Sequence, residues 1–162
     1  MTDVKLLITG VTGSGKTAVG MALAEKLGLR YVEGDSLHPK ANLQKLARGV
    51  LLSDADREPW IENILKALEE PNVVIGAALL KRSHRKRIQK AHGDAKFIQL
   101  TAPMRVLAAR IQDRETFFRQ DLLDSQIVLM DPLRRDERGA IYDATQSVND
   151  LVNLITFDLI KK

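Results

Sequence analysis

The sequence predicts a three-layer α/β/α fold built on a parallel sheet of about five strands. Three observations carry that prediction. Short apolar runs alternate with segments of helical periodicity along the whole chain. A glycine-rich turn, Gly10 to Gly15, separates the first apolar run from the first helical one. Each apolar run is followed by a helical segment long enough to cross back over a sheet, which parallel pairing with right-handed crossovers requires. With 162 residues and 44% hydrophobic content, the chain reads as one domain, residues 1–162, able to bury a single core.

Leu6, Leu7 and Ile8 form the first strand. Val19, Ala22, Leu23 and Leu27 then recur at helical spacing, and Gly28 stands where a left-handed cap stops the helix. Leu29 to Glu33 reads as a second strand. From Ser53 to Glu70, Ile61, Ile64, Leu65 and Leu68 share one helical face, with Ser53, Asp54 and Asp56 available as caps and Pro59 in the first turn. Val73, Val74 and Ile75 give a buried strand, followed by a helix from about Lys81 to Ala91. Phe97 to Leu100 is the next strand, and Met104, Leu107, Ala108 and Ile111 the next helical face. Ala140 to Thr145 is read as the fifth strand. Ser147 and Asp150 have capping-box spacing ahead of the stripe Val148, Leu151, Val152, Ile155 and Leu159. Between Arg114 and Arg138 the periodicity loosens and arginines accumulate, so this segment is expected to be a mobile lid outside the core.

Composition excludes several classes. There is no cysteine, hence no disulfide framework and no thiolate metal site. No apolar stretch approaches the length of a membrane span, and the N-terminal run is too short for a signal peptide, so a cytoplasmic protein without a membrane partner is expected. The formal net charge is +4, with Lys81, Arg82, Arg85, Lys86, Arg87 and Lys90 clustered. That cluster lacks interleaved aromatics and reads as the solvated face of a helix, which argues against nucleic acid as a partner.

Residues Gly10 to Thr17, GVTGSGKT, match GxxxxGK[ST] directly after a strand and before a helix. In that context the glycines let the backbone N–H groups of Gly10, Val11, Thr12, Gly13, Ser14 and Gly15 curl around a nucleotide's phosphates, as expected for ATP. Lys16 reaches the β and γ oxygens, and Thr17 offers a hydroxyl to Mg²⁺. Asp35 follows the second strand, at its carboxyl end and on the side of the phosphate loop. A carboxylate there can accept a proton from an attacking hydroxyl or help hold Mg²⁺. His38, taken alone, reads equally well as a turn residue or a ligand contact.

The run GDSLHPKANLQKLARGVLLSDADREPW, Gly34 to Trp60, resembles the gluconokinase pattern GDxLHPxxNxxKMxxGxPLxDxDRxPW, and the loop resembles that family's GVSGSGKS. The resemblance implies a P-loop kinase fold shared with shikimate kinases, and ATP-dependent phosphorylation of D-gluconate to 6-phospho-D-gluconate. It matches Asp35, His38, Asn42, Lys45, Asp54, Asp56, Arg57, Pro59 and Trp60 to the family's motif. Gluconate offers one carboxylate and a ladder of hydroxyls; Arg57 can grip the acid bidentately while Asp35 and His38 reach hydroxyls. The alternative for Arg57 is a surface salt bridge to Asp54 or Glu58.

Further along, AALLKRSHR keeps the family's Lys81 and Arg85, implied substrate contacts, but has Ala77 for a serine, an extra leucine, and His84 in a tyrosine's place. His84 therefore reads as an exposed residue of a basic helix. Arg110 and Arg114, spaced i and i+4, match arginines that in related kinases neutralise the transferring phosphoryl group. Thr116 replaces a histidine with one residue fewer, the segment Ile127 to Pro132 is shorter than the family's, and Glu33 stands where aspartate is usual. The resemblance also implies a homodimer. Two alternatives stay open at this level: a kinase for another hydroxy acid such as shikimate, and a catalytically weak nucleotide-binding regulatory protein.

Overall fold

The structure, a computed structural model, describes residues 3–112 and 117–161. Its sheet contains β1 (Lys5–Thr9), β2 (Arg30–Glu33), β3 (Val73–Gly76), β4 (Lys96–Thr101) and β5 (Gly139–Asp143), in the order β2-β3-β1-β4-β5. Every pairing is parallel; Leu7 of β1 stands beside Ile75 on one side and Phe97 on the other. The predicted fold class and five-strand sheet are thus observed.

The helices are α1 (Lys16–Leu27), α2 (Lys40–Ala47), α3 (Asp54–Ala67), α4 (Arg82–Ala91), α5 (Met104–Gln112), α6 (Phe117–Leu129) and α7 (Val148–Ile160). Strand alternation sorts the core into two layers. Leu6 and Ile8 point to the face covered by α1 and α7, where they meet Val19, Leu23, Leu151 and Ile155. Leu7 points to the opposite face, where Ile61, Ile64 and Ile88 from α3 and α4 cover it. A third cluster of Val11, Leu80, Leu107, Ile111 and Leu123 binds α5 and α6 to the carboxyl ends of the strands.

Local signals account for the ends of the elements. Gly28 stops α1 at φ 69°, and Ser53 with Asp56 forms a complete capping box at α3. At α7 the Ser147 hydroxyl accepts from the Asp150 N–H. Asp143 ends β5 by accepting hydrogen bonds from the N–H and hydroxyl of Thr145.

The segment expected to form a mobile lid, Arg114 to Arg138, is regular and partly packed where its residues are described. Residues Phe117–Leu129 form a helix, and Leu123 is fully buried in the third cluster. The return segment is tied down as well: the Asp131 N–H donates to the Leu80 carbonyl, and Glu137 is buried.

Candidate active site

The turn between β1 and α1 closes because Gly13 and Gly15 take φ of 83° and 98°, left-handed backbone that a side chain disfavours. Lys16 folds back so that Nζ donates to the Val11 carbonyl at 3.1 Å. Arg110 braces the loop from α5: Nη1 donates to the Gly13 carbonyl at 3.2 Å, and Nη2 to the Ala144 carbonyl at 2.5 Å. Gln126 of α6 reaches the loop from the other side, its Oε1 accepting from the Thr12 N–H at 2.7 Å. Sequence reasoning assigns Gln126 no role, because its partner lies 114 residues earlier.

Thr17 Oγ1 donates to Glu33 Oε2 at 2.8 Å, and the Tyr31 hydroxyl donates to the same oxygen at 3.0 Å. A hard divalent cation at a nucleotide site needs one or two protein oxygens, with phosphate and water supplying the rest. Thr17 and Glu33, with Asp35 two residues on, are oxygen donors of that kind. No group of three or more His, Asp or Glu able to hold a metal alone occurs among the described residues. Glu33 is an addition to the sequence-predicted pair Thr17 and Asp35; its position as the last residue of β2 was the available signal.

Beyond the loop opens a cavity of about 720 Å³. Thr12 and Lys16 line its nucleotide side, and Asp35, His38, Arg57, Lys81 and His84 line the far side, with Asp121, Ser125 and Gln126 arriving from α6. Asp35 and His38 are carried by a 3₁₀ turn, Gly34–Leu37, and the residue after it. The turn lies hard against β3: a Cβ added at Gly34 would stand 2.4 Å from the Gly76 carbonyl oxygen. Trp60, 2% exposed, donates its indole N–H to the Gly34 carbonyl at 2.9 Å, and Asn63 donates to the Leu37 carbonyl at 2.7 Å. The Trp60 ring stacks on His38, centroids 4.6 Å apart and 11° from parallel. Asn42 and Lys45 share one face of α2 and grip the start of α3: Asn42 Nδ2 donates to the Asp56 carbonyl at 2.7 Å, and Lys45 Nζ reaches both Asp56 carboxylate oxygens at 2.9 Å. Much of the Gly34 to Trp60 block is therefore scaffold that aims three side chains into the cavity.

Electrostatics distinguish those three. Burial, reinforced by Arg57, lowers the His38 pKa to about 4, so its imidazole is neutral near pH 7. Burial followed by the Arg57 charge also lowers His84. Burial opposes the charge of Arg57 itself, yet no carboxylate lies within 4.0 Å of its guanidinium among the described residues. The salt bridge to Asp54 or Glu58 considered from sequence does not form. Asp54 instead pairs with Lys81 at 2.5 Å, and Glu58 with Arg87. A half-buried guanidinium at a cavity wall, with Lys81 beside it, suits an anionic carboxylate; Asp35 offers an acceptor to hydroxyls.

The structure thus gathers Thr12, Lys16, Asp35, His38, Arg57 and Lys81 around one cavity. It does not bring Arg85 there. Arg85 is 1% exposed, donates Nε to Glu137 Oε1 at 2.8 Å and Nη2 to Oε2 at 3.1 Å, and spends Nη1 on the Leu79 and Leu80 carbonyls. All its donors serve the fold, so the substrate contact expected of it is corrected. His84 is corrected in the other direction: it is 9% exposed and lines the cavity. Arg114 lies outside the described residues. The basic cluster on α4 is largely neutralised, Arg82 pairing with Asp136 and Arg87 with Glu58 and Glu62.

A phosphate loop at the end of β1, facing a cavity with a carboxylate and a half-buried guanidinium on its far wall, defines a P-loop phosphotransferase acting on a small-molecule alcohol. The family model described as Shikimate kinase matches residues 12–154. The chain is 37% identical to the gluconokinase of Gluconobacter oxydans, over 82% of this chain and 78% of that one. It is 32% identical to a "Probable gluconokinase" of Schizosaccharomyces pombe, over 96% and 87% respectively. A solved gluconokinase from Sinorhizobium meliloti 1021 superposes with a TM-score of 0.86 at 34% identity, covering 93% of this chain and 88% of that one. The chain belongs to the gluconokinases, within the wider shikimate kinase family, and is an ATP-using kinase.

Proposed function

We propose that the chain transfers the γ-phosphoryl group of ATP to a hydroxyl of D-gluconate, giving 6-phospho-D-gluconate. One observation supports the choice of an acid: Arg57 stands half-buried at the cavity wall with no carboxylate within 4.0 Å of its guanidinium among the described residues. In this reading Arg57, helped by Lys81, holds the gluconate carboxylate. His38 and Asp35 bind hydroxyls, and Asp35 takes the proton of the attacking one. Backbone N–H groups from Gly10 to Thr17 cradle the phosphates, Lys16 neutralises the β and γ oxygens, and Arg110 holds the loop in shape. Arg114 is assigned to the phosphoryl charge by resemblance. Mg²⁺, held through Thr17, Asp35 and Glu33, supplies charge neutralisation on the phosphates when bound.

Alignment outweighs proton removal in this chemistry. Positioning of two bound reactants lowers a barrier by about 7–11 kcal/mol, against roughly 3–5 kcal/mol for a general base accelerating by 10²–10⁴. The loose transition state of phosphoryl transfer makes the same point, since little negative charge needs to build on the attacking oxygen. The need for ATP supports a cytoplasmic enzyme, and the resemblance supports a homodimer, which sedimentation equilibrium checks.

An ADP-release assay over a panel of gluconate, other sugar acids, glucose, shikimate and nucleoside monophosphates tests the function. Gluconate is expected to give the highest kcat/KM, with glucose, lacking the acid, far below. Equal or faster turnover of shikimate or glucose would refute the assignment. ATP binding without any acid-dependent ADP release would favour a regulatory protein.

A further inference from the structure

Two hydrogen bonds made by one buried amide determine which nitrogen of His38 faces the substrate. Asn42 is 3% exposed, and the choice between its amide O and N is settled chemically: the Asp56 carbonyl, 2.7 Å away, can only accept, so the atom facing it is the NH₂. The same NH₂ lies 3.2 Å from His38 Nδ1. With both amide hydrogens donated, one to the carbonyl and one to the ring, Nδ1 must be the accepting nitrogen. A neutral imidazole that accepts at Nδ1 carries its proton on Nε2. The stack on Trp60 fixes the plane of the ring, and Trp60 is itself held by the Gly34 carbonyl. Nε2 has no hydrogen-bond partner among the described residues, and His38 lines the cavity.

We infer that Asn42 is a positioning residue that locks His38 in its Nε2–H tautomer, so that His38 donates a hydrogen bond to an oxygen of the acceptor and cannot serve as the base. The inference rests on the reading that the sugar acid docks beside His38, and it leaves Asp35 as the proton acceptor. It also gives a physical reason for an asparagine at this position. Aspartate there would present a carboxylate to the Asp56 carbonyl and draw a proton onto Nδ1, turning the accepting face of the ring toward the substrate. Alanine would leave the ring free to exchange tautomers.

Long-range ¹H–¹⁵N correlation spectra of the histidine side chains in the intact enzyme test this directly. The wild type is expected to show His38 with a protonated Nε2 and a bare Nδ1. Asn42→Asp is expected to move the proton to Nδ1, and Asn42→Ala to give averaged signals. In steady-state assays on folded protein, Asn42→Ala should raise KM for gluconate about tenfold, the worth of one hydrogen bond, with KM for ATP unchanged. A merely structural role would not move the tautomer. An Nδ1–H signal in the wild type, or a tautomer indifferent to both substitutions, would overturn the inference. The spectrum needs no substrate: loss of the gluconate reading alone would leave the Nε2–H signal intact, whereas a wrong inference would show Nδ1–H even with gluconate turned over.

Discussion

Replacing Arg85 separates a residue that holds the fold from one that holds the substrate. The Arg85 and Glu137 side chains are 1% and 5% exposed, and the guanidinium supplies charge-assisted hydrogen bonds to both carboxylate oxygens and to the Leu79 and Leu80 carbonyls. Burial opposes the charge of Glu137, yet Arg85 and the Arg134 N–H still hold its pKa below the usual carboxylate range. Arg85→Met keeps most of the volume and removes every donor, stranding a buried carboxylate; breaking such a pair costs about 3–5 kcal/mol. With a urea slope of roughly 2 kcal/mol per M, the unfolding midpoint should fall by about 1.5–2.5 M, followed by circular dichroism. Arg85→Met with Glu137→Gln should cost less than the sum of the singles by about 1 kcal/mol or more, because the second change removes the stranded charge. Below the transition, KM for gluconate should stay within about twofold of wild type. An unchanged midpoint with a gluconate KM raised tenfold or more would refute this and restore Arg85 to the substrate site.

Three further outcomes follow from the site. Asp35→Asn should lower kcat by about 10²–10⁴ while leaving KM for ATP within a few-fold, in the same ADP-release assay; an unchanged kcat would remove Asp35 as the proton acceptor. His38 has a folded pKa of about 4 against 6.5 unfolded, so its contribution to stability is complete above pH 6.5 and is lost as pH falls toward 4. Discounted for its partial exposure, that loss is about 1–2 kcal/mol, and urea midpoints at pH 7.5 and 4.5 should fall less in His38→Gln than in wild type; equal falls would contradict the shift. Trp60→Phe deletes the indole hydrogen bond to the Gly34 carbonyl, costing about 0.5–1.5 kcal/mol. Thermal melts check it, and a melt unaltered by the change would mean that this bond does not hold the 3₁₀ turn.

The parts legible in the sequence are those whose physics is local. Leu6, Leu7 and Ile8 give a strand by composition; Val19 and Leu23 give a helix by period; Gly10 to Thr17 gives a phosphate loop because consecutive backbone groups build it. Helix α2 escaped because only Asn42 of its eight residues is buried, so there is no apolar stripe to see. Its order comes instead from Asn42 and Lys45 gripping Asp56, 14 and 11 residues away. Arg85 could not be told from its basic neighbours by pattern, since the carboxylate that justifies its burial lies 52 residues further on. His84 looked like part of a solvated basic face for the same reason. Helical period shows which side a residue is on, and a cavity on that side is a tertiary fact.

Two departures from the gluconokinase pattern have a definite chemistry in the structure: Glu33, hydrogen-bonded to Thr17 of the phosphate loop, and His84, in the cavity wall. Glu33 in place of aspartate has one more methylene, and its carboxylate accepts from the Thr17 and Tyr31 hydroxyls together, coupling the phosphate loop to β2. His84 in place of tyrosine puts an imidazole, its pKa lowered by burial and then by Arg57, on the wall that carries Lys81. It adds a polar contact there, while Lys81 is paired with Asp54 and Arg57 has no such pair among the described residues. In the proposed reading, selection for an acid is set at the Arg57 end, and selection among hydroxyl patterns falls to Asp35 and the proton on His38 Nε2.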